Sequence, residues 1–144
     1  MLLDEIGARL STQGIASSSG EGSPAWYLWK SQMPDSTDIA DRGVAVTASG
    51  GLPQLPNIQI DRPTFQVVVR GARLDVVSTA YEEAALKAEQ IKMNLHFLTD
   101  TALSGVTYAQ IQAAAEPSYI GEDANLRPLF TCNFTAWRDS TSSS

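Results

Sequence analysis

The sequence contains one cysteine and one histidine, and neither has the neighbours that metal binding or nucleophilic catalysis requires. With Cys132 alone, no intrachain disulfide and no cysteine metal cluster can form. Cys132 lies between Phe130 and Phe134 in an apparent core strand, which is typical of a small buried thiol. His96 has apolar residues on both sides near the end of a predicted helix. Packing at the helix C terminus is therefore favoured over catalysis.

Basic runs and long apolar runs are also missing. The formal net charge is -6 and the sequence pI is about 4.6, which argues against a protein that binds nucleic acid through clustered Lys and Arg. The segment Met1–Glu5 carries acids where a signal peptide has basic residues, and no apolar run is long enough to span a bilayer. We therefore expect synthesis in the cytoplasm.

Catalytic motifs are absent as well: there is no glycine-rich phosphate loop, no nucleophile elbow and no His/carboxylate cluster with ligand spacing. The run Gly121–Asp123 lacks the spaced oxygen ligands of a calcium loop. The sequence predicts a protein that is not an enzyme and holds no cofactor or metal. Catalysis by carboxylates alone stays open, because acids distant in sequence can meet in space.

What is present is a globular composition, with 144 residues of which 43% are hydrophobic and 18% are charged. This length fits one domain with a modest core. We expect that domain to span residues 1–138. The polar, aperiodic tail, residues 139–144, is predicted to be disordered.

The organising unit is a strand followed by a helix. In Thr64–Arg70, Phe65, Val67 and Val69 alternate with more polar residues, as in a strand with one core face. A helix of about twenty residues then carries an apolar stripe at steps of three and four. The stripe consists of Ala84, Ala88, Ile91, Leu95 and Leu98. Thr79 and Glu82 have the spacing of a capping box at its start.

Periodicity and turn residues predict the other elements. They are a first helix at residues 2–13, capped at Gly14, an aromatic strand at Ala25–Lys30, a short strand at Gly43–Thr47, a turn at Thr99–Ser104, a strand at Val106–Ala115, a connection at Glu116–Pro128 and a last strand at Phe130–Trp137. The last two strands are expected to pair antiparallel.

Residues 31–62 contain little regular structure and are punctuated by proline and glycine. Such a long segment is uncommon in a compact domain unless it is functional or orders against a partner. We interpret it as an extended loop or arm. Gly51–Asn57 cannot be a central strand, since its prolines lack ladder donors, and is expected to project from the body.

Together these elements predict an α+β fold with a mainly antiparallel sheet of about four to five strands and two helices packed on one face. The other face is only partly polar and has no helix to cover it. It is either solvated or covered by another copy of the chain.

Several short motifs, in this order and spacing, resemble the tail terminator or minor capsid proteins of bacteriophages with long non-contractile tails. The resemblance covers nearly the whole chain and includes an alanine-rich helix. The other motifs are Leu2–Ile6, Met33–Pro34, Gly50–Pro53, Arg62–Val67, Val69–Arg70, Leu103–Val106, Pro117–Asp123, Arg127–Phe130, Asn133–Phe134 and Trp137–Arg138.

The resemblance implies a structural virion protein that forms a ring, expected to be a hexamer, at the head-proximal end of the tail tube. Such a ring ends tail polymerisation and joins tail to head. The implied partners are other copies of the chain, the tail tube protein and a neck or head-completion protein, with DNA only passing through the channel. Assembly in the host bacterial cytoplasm and residence in the virion tail follow.

A closed ring needs two complementary surfaces on each chain. Candidates are the uncovered sheet face and the arm, with aromatic and arginine anchors that could pair with a neighbour. The candidate interface residues are Trp26, Trp29, Arg42, Arg62, Gln66, Arg70, Thr131, Asn133 and Thr135. One of the two tryptophans is expected in the core, and Arg62 and Arg70 are alternatively ordinary surface residues.

Two other classes stay open. One is another neck component of the same particle, a stopper or connector, which would bind the portal side rather than the tube end. The other is a small-molecule-binding module or hydrolase, which would need a concave pocket with converging polar groups.

Overall fold

A computed structural model describes residues 2–20, 22, 25–30, 41–49, 60–96, 98–103 and 105–139. Within them lie two helices and eight strands. In chain order they are α1 (Leu2–Thr12), β1 (Tyr27–Lys30), β2 (Gly43–Ala48), β3 (Ile60–Asp61), β4 (Thr64–Arg70), α2 (Ala80–Leu95), β5 (Leu98–Leu103), β6 (Val106–Ala113), β7 (Ser118–Glu122) and β8 (Pro128–Asp139).

All eight strands belong to one sheet, with the order β1-β2-β4-β8-β6-β5. The long strand β8 pairs with β4 and, near its end, with β3. It also pairs with β7 and β6, and every pairing in the sheet is antiparallel except that of β1 with β2. The predicted α+β class is confirmed, but the sheet has more strands than the four to five expected.

One face of the sheet forms the core. The alternation in β4 places Phe65, Val67 and Val69 inward, opposite Phe134, Cys132 and Phe130 of β8. Both helices bury apolar residues in the same cluster. Packing of the two helices on one face therefore follows the prediction.

The sheet curls, and α1 closes the gap. Helix α1 contacts β1 and β2 at one end of the strand order and β5 at the other. A flat sheet would hold those two ends far apart, so these contacts require strong curvature. Leu2, Ile6 and Leu10 fill the space between the ends.

The apolar stripe of α2 is confirmed for Ala84, Ala88, Ile91 and Leu95, which are all buried. The helix is shorter than predicted and ends before Leu98, which starts β5. The capping box is wrong: Thr79 is the N-cap but its side chain makes no capping hydrogen bond. Neither described helix has the length and hydrophobicity of a membrane-spanning segment.

Two predicted connections contain strands. Of the predicted turn Thr99–Ser104, residues 99–103 belong to β5 and residue 104 lies outside the described residues, while the connection Glu116–Pro128 contains β7. Gly105, in the turn before β6, and Gly121, at a register shift within β7, adopt positive φ angles of 82° and 107°. The paired strands at 106–115 and 130–137 are confirmed as β6 and β8.

The predicted arm contains two strands, β2 and β3, within its described residues. The remainder, 31–40 and 50–59, lies outside the described residues and includes Gly51–Asn57, which was expected to project. Asp139 belongs to β8 rather than to the predicted tail, and residues 140–144 are not described.

A buried polar network ties α1 to the far end of the sheet. Glu5, only 2% exposed, accepts a hydrogen bond from the Tyr108 hydroxyl at 2.5 Å, and its Oε1 lies 3.4 Å from the Arg138 guanidinium. Arg138 also approaches Asp61 at 3.6 Å. Burial alone would raise the pKa of Glu5, but the Tyr108 hydrogen bond and the Arg138 charge are among the groups that bring it below its ordinary value.

We predict that Gly71→Ala lowers the free energy of unfolding by about 1–3 kcal/mol. A Cβ at this position would lie 2.9 Å from Pro128 and 3.0 Å from the Ala80 carbonyl oxygen. Gly7→Ala is the control, because its Cβ would meet only the side-chain ends of Leu28 and Lys30. It should be neutral or stabilising by up to about 1 kcal/mol. Urea denaturation measures both, and equal stabilities would contradict the packing.

We predict that Glu5→Gln costs about 3 kcal/mol of stability at pH 7, because it removes the buried charge that balances the partly buried Arg138. The network stabilises the fold fully above the ordinary Glu pKa of 4.5 and loses this contribution as the pH falls through the lower folded-state pKa. The variant should therefore unfold with a flatter acid dependence. Asp4→Asn, on the exposed Asp4 and Lys30 pair, is the control and should change little.

Candidate assembly surface

Residues that alternate with the core positions of β1, β2, β4 and β8 point away from both helices and form what we call the outer face. The strand registers place them in adjacent rows across the sheet. The outer face comprises Tyr27, Trp29, Ala45, Thr47, Gln66, Val68, Arg70, Thr131, Asn133 and Thr135.

The four polar residues predicted for this face come together. Gln66 lies directly opposite Asn133 in the pairing of β4 with β8, and Thr131 and Thr135 lie two residues to either side of Asn133. Asn133 is exposed, while the other three are partly exposed. These side chains form a polar patch with donors and acceptors but no charge, so its character is suited to hydrogen bonding with another surface.

Trp29 is the large aromatic side chain of the same face. It pairs with Ala45, and the row continues through Val68 to Thr131. The Arg70 guanidinium carbon lies 5.7 Å from the centre of the indole ring, within cation–π range. Trp29 remains partly exposed. A partly exposed tryptophan held by Arg70 thus lies in the same row as Thr131, with Ala45 and Val68 between it and the polar patch.

Arg70 is not the surface residue that one alternative proposed. It is only 2% exposed, and its Nε donates to the backbone carbonyl oxygen of Asp41 at 2.8 Å. Burial of an arginine requires such partners, because an unpaired buried charge is costly. Arg70 therefore holds Trp29 and the start of β2 in place rather than presenting a free charge.

Trp26 belongs to the core side, so it is the tryptophan that was expected there. It is 7% exposed, and the Lys87 ammonium lies 5.1 Å from its ring centre. Lys87 also donates to the backbone carbonyl oxygen of Ile15 at 3.0 Å. Trp26 consequently fixes the flank of α2 and does not contribute to the outer face.

The two remaining predicted arginines lie off the outer face. Arg42 donates from Nη2 and Nε to Oε1 of Glu83, at 3.0 and 3.2 Å. The expected acid of a neighbouring chain is thus replaced by an acid of α2. Arg62 is partly exposed between β3 and β4. No local sequence pattern indicates the pair of Arg42 and Glu83, because the two residues are 41 positions apart.

An ionic cluster around Asp41, the residue whose backbone carbonyl oxygen also accepts from Arg70, was not predicted from the sequence. Arg127 is fully buried, with Nε 2.7 Å from Asp123 and Nη1 3.2 Å from Asp41. Asp123 also accepts the backbone N–H groups of Asn125 and Arg127. Burial would raise the pKa of Asp123, but these hydrogen bonds and the Arg127 charge lower it. The sequence signal that could have indicated this cluster is Asp123 at the start of a polar turn.

A second missed feature is an aromatic cluster at the start of α2. The rings of Tyr81, Tyr119 and Phe130 have centres 5.1 to 5.4 Å apart. Tyr81 and Tyr119 are each 43% exposed, and Phe130 lies beneath them at 5%. From the sequence, Tyr119 was placed in a connection rather than in a strand. The cluster could therefore not be predicted, because its position depends on β7.

Cys132 and His96, the two side chains considered for catalysis in the sequence analysis, both lie in environments that fit a structural role. Burial raises the pKa of the Cys132 thiol to about 11, so it is not a thiolate at neutral pH. His96 accepts the backbone N–H of Ala113 through Nδ1 at 2.9 Å, as expected for packing at a helix end. Among the described residues, no group of three His, Cys, Asp or Glu is placed to hold a metal ion.

Comparison with known proteins agrees with the resemblance seen in the sequence motifs. A protein family described as bacteriophage tail terminator protein matches residues 10–139, which include all eight described strands and α2 but only the last three residues of α1. No curated protein matches the chain. The match extends over far more than half of the sequence, and the chain therefore belongs to the bacteriophage tail terminator protein family.

Proposed function

We propose that the chain forms a ring, expected to contain six copies, that caps the head-proximal end of the phage tail tube. The ring ends polymerisation of the tube and provides the surface on which the head is joined. Membership of a structural tail terminator family supports this role and a place in the virion tail. The structural observation that carries the proposal is the outer face, which neither helix covers.

A ring requires a heterologous contact that repeats with a closing rotation. The outer face supplies one of the two surfaces. Its uncharged polar patch around Asn133 can form hydrogen bonds either with water or with a partner. Val68 and Trp29 add apolar area. Interfaces of this composition combine an apolar centre with a hydrogen-bonding rim. The second surface then belongs to a different part of the neighbouring copy.

Trp29 is the proposed anchor of this contact. Tryptophan and arginine are enriched among residues that dominate interface energies. Here Arg70 stacks on the indole and is itself fixed by Asp41, so the ring is already oriented in the single chain. Such preorganisation lowers the entropy that assembly would cost.

The partners in the complete tail are the tail tube protein on one side and a neck or head-completion protein on the other. DNA passes through the ring without being read. The net charge of -6 supports passage without tight binding, because it offers few cations to the phosphates. Assembly takes place in the host cytoplasm, and the function involves no reaction and no cofactor.

We predict that Trp29→Ala weakens ring assembly at least tenfold, since an interface anchor is lost. The melting temperature should fall by only about 2–4 °C, because the side chain is partly exposed. Trp26→Ala should do the reverse, lowering stability by about 3–5 kcal/mol through a core cavity. Native mass spectrometry and circular dichroism report the two properties. Intact rings formed by a partly melted Trp29 variant would contradict the assignment.

We also predict that Asn133→Lys blocks ring formation while leaving the fold intact, because the exposed side chain would place an unpaired charge in the contact. Ala124→Lys adds the same charge at an exposed turn and is the matched control. Analytical ultracentrifugation of both variants gives the oligomer distribution. Rings of normal size from Asn133→Lys would exclude the outer face from the interface.

The proposed position is tested by electron microscopy of the purified protein mixed with unfinished tail tubes. We expect density at one end of each tube and tubes that no longer grow when tube protein is added. Binding to portal complexes instead of tubes would assign the chain to a stopper or connector. A chain that stays monomeric beside tubes and portals would overturn the proposed function.

A further inference from the structure

The solvent-facing side of α2 carries a regular pattern that packing within the chain does not explain. Glu82, Leu86, Glu89 and Met93 follow at intervals of four, three and four residues, so they share one line along the helix. We call this line the acidic–apolar stripe. Leu86 is 71% exposed and Met93 is 73% exposed, so most of each side chain is open to solvent.

Both flanks of α2 are occupied, which leaves the stripe facing outward. On one flank Tyr81 contacts Tyr119 and Lys92 pairs with Glu116. On the other flank Glu83 pairs with Arg42, while Lys87 lies over Trp26. Leu86 borders the groove on this second flank. No element in the described ranges lies over the stripe itself.

The charge of the stripe decides which kind of partner fits. Neither Glu82 nor Glu89 forms an ion pair within the described part of the chain. By contrast, every Lys and Arg of the chain is engaged within it. The basic residues are Arg9, Lys30, Arg42, Arg62, Arg70, Arg73, Lys87, Lys92, Arg127 and Arg138.

A second copy of this chain is therefore a poor occupant. Two stripes packed in parallel would place Glu82 against Glu82, and antiparallel packing would place Glu82 against Met93. Like charges and unmatched buried acids both disfavour association. The complement of the stripe is a helix in which Lys or Arg alternates with apolar residues at the same spacing.

We propose that the acidic–apolar stripe of α2 docks a basic amphipathic helix of a different protein. The inference rests on the proposed function in taking that protein to be the tail tube protein or the neck protein. Leu86 and Met93 enter apolar positions of the partner helix, and Glu82 and Glu89 pair with its cations. Self-assembly uses the outer face and leaves the stripe accessible.

The first test titrates the fluorescently labelled chain separately with purified tail tube protein and purified neck protein of the same virus, at low and high salt. We expect one of them to bind, and Leu86→Ser or Met93→Ser to weaken that binding at least tenfold. The double variant Glu82→Lys/Glu89→Lys should weaken it at least as much and reduce its salt dependence. Val76→Ser, at an equally exposed apolar residue off the stripe, is the matched control.

Ring formation is measured on the same variants by native mass spectrometry. Unchanged rings together with lost binding to one partner support the inference. Unchanged binding to both partners overturns it, and so does loss of rings, which would make the stripe a contact between copies. Circular dichroism confirms that each variant is folded, which we expect because all four positions are on the helix surface.

A second test uses synthetic helical peptides and does not depend on the proposed function. One peptide carries Lys and Leu at the intervals of the stripe, and its control carries Glu in place of Lys. We expect only the first to bind, and Leu86→Ser to weaken it at least tenfold. The inference is overturned if the unmodified chain does not bind the Lys-containing peptide, or if the Glu82→Lys/Glu89→Lys variant binds that peptide equally well. If the unmodified chain binds neither viral protein, the proposed function fails and the peptides alone decide the inference.

Discussion

The pairing of β8 with β4 is the constraint on which the rest of the molecule depends. Seven consecutive residue pairs fix the register, and the stacked rings of Phe65 and Phe134, 5.1 Å apart, mark its core side. A shift by one residue would turn the core residues outward and bury the polar patch around Asn133. The same register thus determines both the hydrophobic core under the helices and the chemistry of the outer face.

The strong periodicities made much of this predictable. In β4, β8 and α2 the apolar residues recur at the spacing of their element, so class, helix placement and core followed from sequence. The alternation also placed Gln66, Thr131, Asn133 and Thr135 together on one face. Side-chain periodicity is a local property, and it is reliable where one side of an element is fully buried.

The rest depended on partners distant in the chain. Strand β5 reads as a turn because its polar residues and the following glycine outweigh its few apolar ones, and β7 is exposed along most of its length. Arg70 and Arg127 are both buried and both have Asp41 as a partner, which no local pattern connects to either. Thr79 had the spacing of a cap but not the backbone geometry, with φ −96° and ψ 15°.

The contact between Glu5 and Arg138 joins residues 133 positions apart and has a consequence for biosynthesis. The ribosome makes α1 well before β8, the strand that carries the cation for its buried carboxylate. Until β8 emerges, the contact of Glu5 with Arg138 cannot form and α1 lacks the complete curled sheet. Native folding therefore cannot be complete until β8 has been made, and it depends on contacts of high contact order that are slow to form. A chain cut short before Arg138 would keep β1, β2 and β5 beneath its first helix but would lose the link between that helix and the last strand.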